Sequence, residues 1–284
     1  MGYIKVDCPV CGGHGTAAFN NETGLFRCNM CNARGPAELQ IVHRPITAEE
    51  WKKKQPWYRN KSKHIIETPV EPIADKVVIE WFEIRGISES TLRDMRVTAG
   101  TDWMPANKGN RLHNGGECTT IHFNYVKDGE VVATKLRSGD KCFRMLTPDT
   151  EAIPYNIDSI KGMPGCYITE GEVDALSLHE IGLSAVISAI SENEIHNVFE
   201  SHLKQMDFIF ICADHDKHGL EFAEKMKEYL KANMAEDATI EIISSYGTHP
   251  DGSPVKDANE CLMLFGPEVL YDKIVNYKKA AKEQ

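Results

Sequence analysis

The chain has 284 residues, 42% of them hydrophobic and 26% charged, with a formal net charge of -10. That balance suits a globular protein with a real core, arranged as one large domain or two unequal ones. No run approaches the roughly 18 apolar residues of a membrane span and MGYIKVDCPVCGG carries no signal-peptide core, so a cytoplasmic protein without membrane attachment is expected.

The charge is uneven. Residues 1–163 hold 22 Lys and Arg against 20 Asp and Glu, whereas residues 164–284 hold 10 against 22. An acidic half ordinarily argues against nucleic acid, unless several acids serve as metal ligands and the basic groups gather elsewhere.

In chain order, residues 1–45 read as short strands and turns, closing in a small helix at 37–42, too little to bury a core unaided. They contain CPVCGGHGTAAFNNETGLFRCNMC, a C-x2-C-x16-C-x2-C pattern whose Cys8, Cys11, Cys28 and Cys31 have the spacing of a four-thiolate zinc site. The remaining cysteines, Cys118, Cys142, Cys166, Cys212 and Cys261, are scattered singly, as inert thiols are in a reducing compartment. His14, Asn21 and Arg34 are exposed candidates for nucleic-acid contact on this zinc-ribbon module.

Residues 46–75 read as a linker broken by Pro56, Pro69 and Pro72. Within it, WKKKQPWYRNKSKH has six Lys or Arg, no acid, and interleaved aromatics. That composition keeps a tether solvated; it also suits nucleic-acid phosphates, with Trp57 or Tyr58 stacking on a base. Residues 76–163 read as a mixed α+β subdomain: helical spacing in DKVVIEWFEIRG, a second helix ESTLRDM capped by Ser88, then a hairpin of TTIHFNYV and VVATKLRS joined by KDGE.

Residues 164–284 alternate strand and helix. Strands are predicted at 167–169, 185–189, 208–213 and 239–244, and helices near 172–181, 192–204, 218–233 and 266–280. Short apolar runs followed by amphipathic helices imply a Rossmann-like parallel sheet covered on both faces, with ligands at the carboxyl ends of the strands. There the acids crowd: Glu170, Glu172 and Asp174 in TEGEVDALSL, Asp214 and Asp216 in ICADHDKHG, and Asp257 and Glu260 in VKDANECL. Singly, each fits a helix N-cap or first-turn charge. Together, hard oxygen donors at separate strand ends point to Mg²⁺ or Mn²⁺.

TEGEVDALSL, DHD and KDANE, in this order, resemble the Toprim domain of bacterial and phage primases, topoisomerases and some nucleases. With the four-cysteine ribbon ahead, and with IRGISESTL (84–92) and ATKLRSGDKCFRM (133–145) between, the chain is similar to the primase region of phage-type primase-helicases. The resemblance implies an α/β fold of zinc ribbon, mixed subdomain and Toprim domain. It also implies a Mg-dependent DNA primase making short RNA primers from NTPs on single-stranded DNA. Glu170, Asp214, Asp216 and Asp257 would then be the metal and catalytic set, supported by Glu172 and Asp174. Lys135, Arg137, Lys141 and Arg144 would hold triphosphate and template, with His14 and Trp57 as further template contacts. A replicative helicase and a DNA polymerase are the implied partners.

The loop after the second strand, VISAISENEIH, lacks the glycine turn usual in the family, leaving Ser188 or Ser191 to meet a phosphate by hydroxyl contact. G-x-x-x-x-G-K-[ST] occurs nowhere, so a helicase motor is expected on another chain or beyond residue 284. Two rival functions use the same parts. A Toprim nuclease would cleave with these carboxylates, and a noncatalytic recombination mediator would place the zinc module next to Toprim, where this chain interposes a Lys- and Arg-rich hairpin.

Overall fold

The computed structural model describes residues 3–6, 17–20, 25–29, 34–36, 75–105, 116–139, 141–146 and 150–277. Cys8, Cys11 and Cys31, His14, the helix expected at 37–42 and the basic linker with Trp57 lie outside them. Two compact units share the chain: residues 1–63, 101–120 and 137–148 in one, and residues 64–100, 121–136 and 149–284 in the other.

The first unit opens with four short strands, β1 (Tyr3–Val6), β2 (Ala17–Asn20), β3 (Leu25–Cys28) and β4 (Arg34–Pro36), paired antiparallel in sequential order. Ala17 and Cys28 are register partners and both are buried.

In the second unit α1 (Lys76–Glu83) begins where Asp75 accepts from the Val77 and Val78 amides, at 2.9 and 3.2 Å. It buries Val78 and Phe82, four residues apart on one face. Helix α2 (Glu89–Asp94) is capped by Ser88, whose hydroxyl and amide also donate to Glu180 at 2.8 and 2.9 Å.

Strands β5 (Val97–Met104), β6 (Gly116–Lys127), β7 (Glu130–Ser138) and β8 (Phe143–Met145) form a sheet in that order, and the boundary between the units falls within β5, β6 and β7. The β6–β7 turn places Asp128 at φ 58° and Gly129 at φ 82°, the two left-handed positions of a type I′ hairpin. Inward residues of the hairpin supply Phe123 and Tyr125, each packed edge-on against the buried Tyr155.

The remaining elements are β9 (Gly165–Thr169), α3 (Glu172–Glu180), β10 (Val186–Ser188), α4 (Glu192–Val198), β11 (Phe208–Cys212), α5 (Lys217–Asn233), β12 (Thr239–Ile243), α6 (Ala258–Phe265) and α7 (Pro267–Val275). The four strands are parallel, in the order β10-β9-β11-β12. The predicted elements recur with shifted ends, and two depart in kind. The helix expected to 204 widens at 199–203 into a π turn, the Lys204 amide reaching the Phe199 carbonyl, and α6 had no counterpart in the prediction.

This order decides where a ligand can sit. From β9 the chain moves to β10 on one side, then returns to place β11 on the other. The connections therefore diverge between β9 and β11, opening a crevice beyond their carboxyl ends. Among the described residues, no helix is long and apolar enough to cross a membrane.

Candidate active site

Thr169 and Cys212 are register partners at the ends of β9 and β11, so Glu170 and Ala213-Asp214 leave the sheet side by side. The third contribution returns from β12. Its following loop is pinned by the His215 amide donating to the Lys256 carbonyl at 2.5 Å, which delivers Asp257 to the start of α6. Asp257 caps that helix by accepting from the Glu260 amide at 2.8 Å. The fourth is Asp174, in the first turn of α3, whose Oδ1 accepts from the Asn259 amide at 3.0 Å. Asn259 also donates through its side chain to the Arg85 carbonyl (3.1 Å) and Ser177 Oγ (3.0 Å), fixing α6 against α3.

These constraints bring carboxylate oxygens of Asp174, Asp214 and Asp257 within 4.8 Å of one another. Burial raises the Asp174 pKa well above the usual carboxylate range, and the charges of Asp257 and Asp214 add to the rise. Burial likewise raises Asp257, with Asp214 contributing, against the Glu260 amide and Lys256. The Lys256 ammonium offsets part of this charge, at 2.8 Å from Asp214 Oδ2 and 3.5 Å from Asp216 Oδ2.

Glu170 and Asp216 flank the trio. Glu170 is raised by partial burial and by Asp214, while His218, 3.9 Å away, pulls the other way. Asp216 caps α5 through the Gly219 amide at 2.9 Å, and that bond and Lys256 hold it low. Gly171 keeps room at the centre: a Cβ there would lie 2.8 Å from Asp174 Oδ2.

The crowded acids of residues 170–174 thus part company. Glu172, expected to support the metal set, turns into the core, where its Oε1 accepts from the Tyr125 hydroxyl and the Lys135 ammonium, each at 2.6 Å. Lys135, expected on a phosphate, is buried in this ion pair, because a carboxylate enclosed in the core requires a cation. In the other unit, Arg137 is buried with its guanidinium 5.8 Å from the Phe143 ring, Arg144 is half-buried, and Lys141 is exposed in a left-handed turn. Ser191 spends its hydroxyl capping α4, and Ser188 Oγ is buried without a hydrogen-bond partner among the described residues. Lys256 and Asn259 were missed by sequence reasoning. The signal for both was their place inside KDANE, beside acids that took all the attention.

Residues 167–262, which hold the acids of this crevice, match a protein family described as Toprim-like. Two Arabidopsis thaliana proteins are similar over 225 residues, 73% of this chain: a chloroplastic/mitochondrial Twinkle homolog at 27% identity and a primase homolog protein at 28%. The chain spans 29% and 60% of their respective lengths.

Among solved structures, the primase fragment of the bacteriophage T7 primase-helicase aligns over 96% of this chain and 100% of its own, with TM-score 0.54 and 18% identity. A DNA primase domain from Pseudomonas aeruginosa aligns over 71% of this chain and 72% of its own, at TM-score 0.51 and 17% identity. A DnaG catalytic domain solved with single-stranded DNA aligns over 75% and 74%, at 0.51 and 15%. The chain therefore has a primase-type fold.

Proposed function

We propose that this chain is a DNA primase, joining ribonucleoside triphosphates into short RNA primers on a single-stranded DNA template. One observation carries the reading: Asp174, Asp214 and Asp257 converge at the strand-order switch of a Toprim-like sheet within a primase-type fold. Three converging carboxylates, with the Asp174 and Asp257 pKa values raised by burial and then by neighbouring negative charge, suit a hard divalent cation, Mg²⁺ or Mn²⁺. Asp174, Asp214 and Asp257 would hold it, with Glu170 and Asp216 at its margin. When bound, such a cation offsets negative charge on the nonbridging and leaving oxygens of an in-line phosphoryl transfer.

The protein's own groups divide the rest of the work. Glu170, whose proton affinity is raised, accepts the proton of the attacking 3′-hydroxyl. Lys141 and Arg144 supply positive charge to the template backbone. Cys8, Cys11, Cys28 and Cys31, in zinc spacing, hold a ribbon over residues 1–45 that reads the template with His14, while Trp57 in the 46–75 linker stacks on a base. Residues 76–163 and 164–284 form the polymerase core. A replicative helicase and a DNA polymerase are its partners, in the cytoplasm of a bacterial or phage-infected cell.

The test is extension of labelled ribonucleotides on single-stranded templates with Mg²⁺. Wild type yields short RNA products, and Asp174→Asn, Asp214→Asn, Asp257→Asn and Glu170→Gln each reduce them at least a hundredfold while the protein stays folded. Nicked template, or template binding without synthesis, refutes the assignment.

A further inference from the structure

We propose that Lys256 is a built-in counter-ion that competes with the divalent cation for the acidic trio, so that the site is partly neutralised before any cation arrives. The proposal rests on the reading of Asp174, Asp214 and Asp257 as cation ligands, and on three observations about Lys256. First, its ammonium lies 2.8 Å from Asp214 Oδ2, on one of the three carboxylates of the trio. A cation bound by that carboxylate meets a positive charge already in contact with it.

Second, the main chain of Lys256 is fixed while its head is free to move. Its carbonyl accepts from the His215 amide at 2.5 Å and its amide donates to Glu260 Oε2 at 2.6 Å. The side chain is 52% exposed, so four rotatable bonds lead the ammonium out to solvent. Third, a second seat exists at the same rim. Asp216 Oδ2 is 3.5 Å from the ammonium and its carboxylate is 45% exposed, with Oδ1 tied to the Gly219 amide. On cation binding the ammonium exchanges Asp214 for Asp216, keeping a positive charge where the triphosphate approaches.

The sign of the effect separates this role from a structural one. A lysine that merely holds the loop would, when lost, loosen Asp257 and weaken cation binding. A competing ammonium, when lost, leaves the acids less compensated and strengthens it.

The experiment titrates Mn²⁺ into wild type, Lys256→Met, Lys256→Arg and Asp174→Asn, by calorimetry and by thermal melting. Lys256→Met should bind Mn²⁺ about tenfold more tightly, equivalent to about 1.4 kcal/mol. It should melt below wild type in chelator and gain more from saturating Mn²⁺, while Lys256→Arg keeps near-wild-type affinity. Unchanged or weaker binding by a Lys256→Met protein that melts cooperatively overturns the counter-ion role alone. If wild type shows no saturable Mn²⁺ binding that Asp174→Asn abolishes, the site reading itself falls.

Discussion

Replacing Lys135 by Met isolates the buried ion pair beneath the acidic turn. The two side chains are 11% and 5% exposed and 2.6 Å apart. Glu172 Oε1 has the Tyr125 hydroxyl as its other donor, and the charge of Glu172 helps push that phenol far above its ordinary pKa, after burial. Lys135→Met leaves an enclosed carboxylate with one neutral donor, at a cost of about 3–5 kcal/mol. At roughly 2–4 °C per kcal/mol for a domain of this size, the melting temperature should fall by about 6–20 °C.

Removing both charges tells a different story. Lys135→Met with Glu172→Gln should recover most of the loss, since the amide oxygen still accepts from Tyr125 and no charge remains unpaired. Denaturant and thermal unfolding of the two single variants and the double variant give the coupling directly. A Lys135→Met cost below about 1 kcal/mol, or a double variant no more stable than the single, would refute the reasoning.

Gly171→Ala keeps an allowed backbone at φ -104°, but its methyl meets Asp174 Oδ2; at least a tenfold loss of Mn²⁺ affinity with little change in melting temperature is expected from calorimetry. Glu194, 9% exposed, has its pKa raised from 4.5 to about 7, chiefly by burial. The folded state therefore holds a proton that the unfolded chain has already lost, so stability falls as pH rises from about 4.5 to about 7, by about 2–3 kcal/mol. Urea titrations across that range should show the slope, and Glu194→Gln should flatten it; an unchanged slope would exclude Glu194 as its source. Burial lifts the Cys261 thiol to about 11 and those of Cys166 and Cys212 higher still, so maleimide at pH 7.5 should label all three only on unfolding.

The parallel sheet was legible because apolar runs ending in Thr169, Ser188, Cys212 and Ile243 are each followed by helix-forming sequence, apart from the last. The strand ends in turn marked Glu170 and Asp214, since a ligand site in such a sheet lies beyond the carboxyl ends. Direction within the turn at 170–174 was not legible. Glu172 and Asp174 are two residues apart, yet one enters the core and the other the crevice, because α3 rotates about 200° over two residues. Nor does any local pattern tell that Lys135 must neutralise Glu172, since the pairing is between elements far apart in sequence. The helix α6 escaped prediction because KDANECL starts it at an acid whose capping and ligand readings share one residue type.

The trio is closed by the latest of its elements to be synthesised. Asp257 and the amide that orients Asp174 both arrive with α6, after all four parallel strands have been made. As the chain leaves the ribosome, the sheet can pair while its rim still lacks a ligand and a strut. A product interrupted ahead of Asp257 would retain two of the three acids, ungripped by Asn259, so premature fragments are denied a complete cation seat.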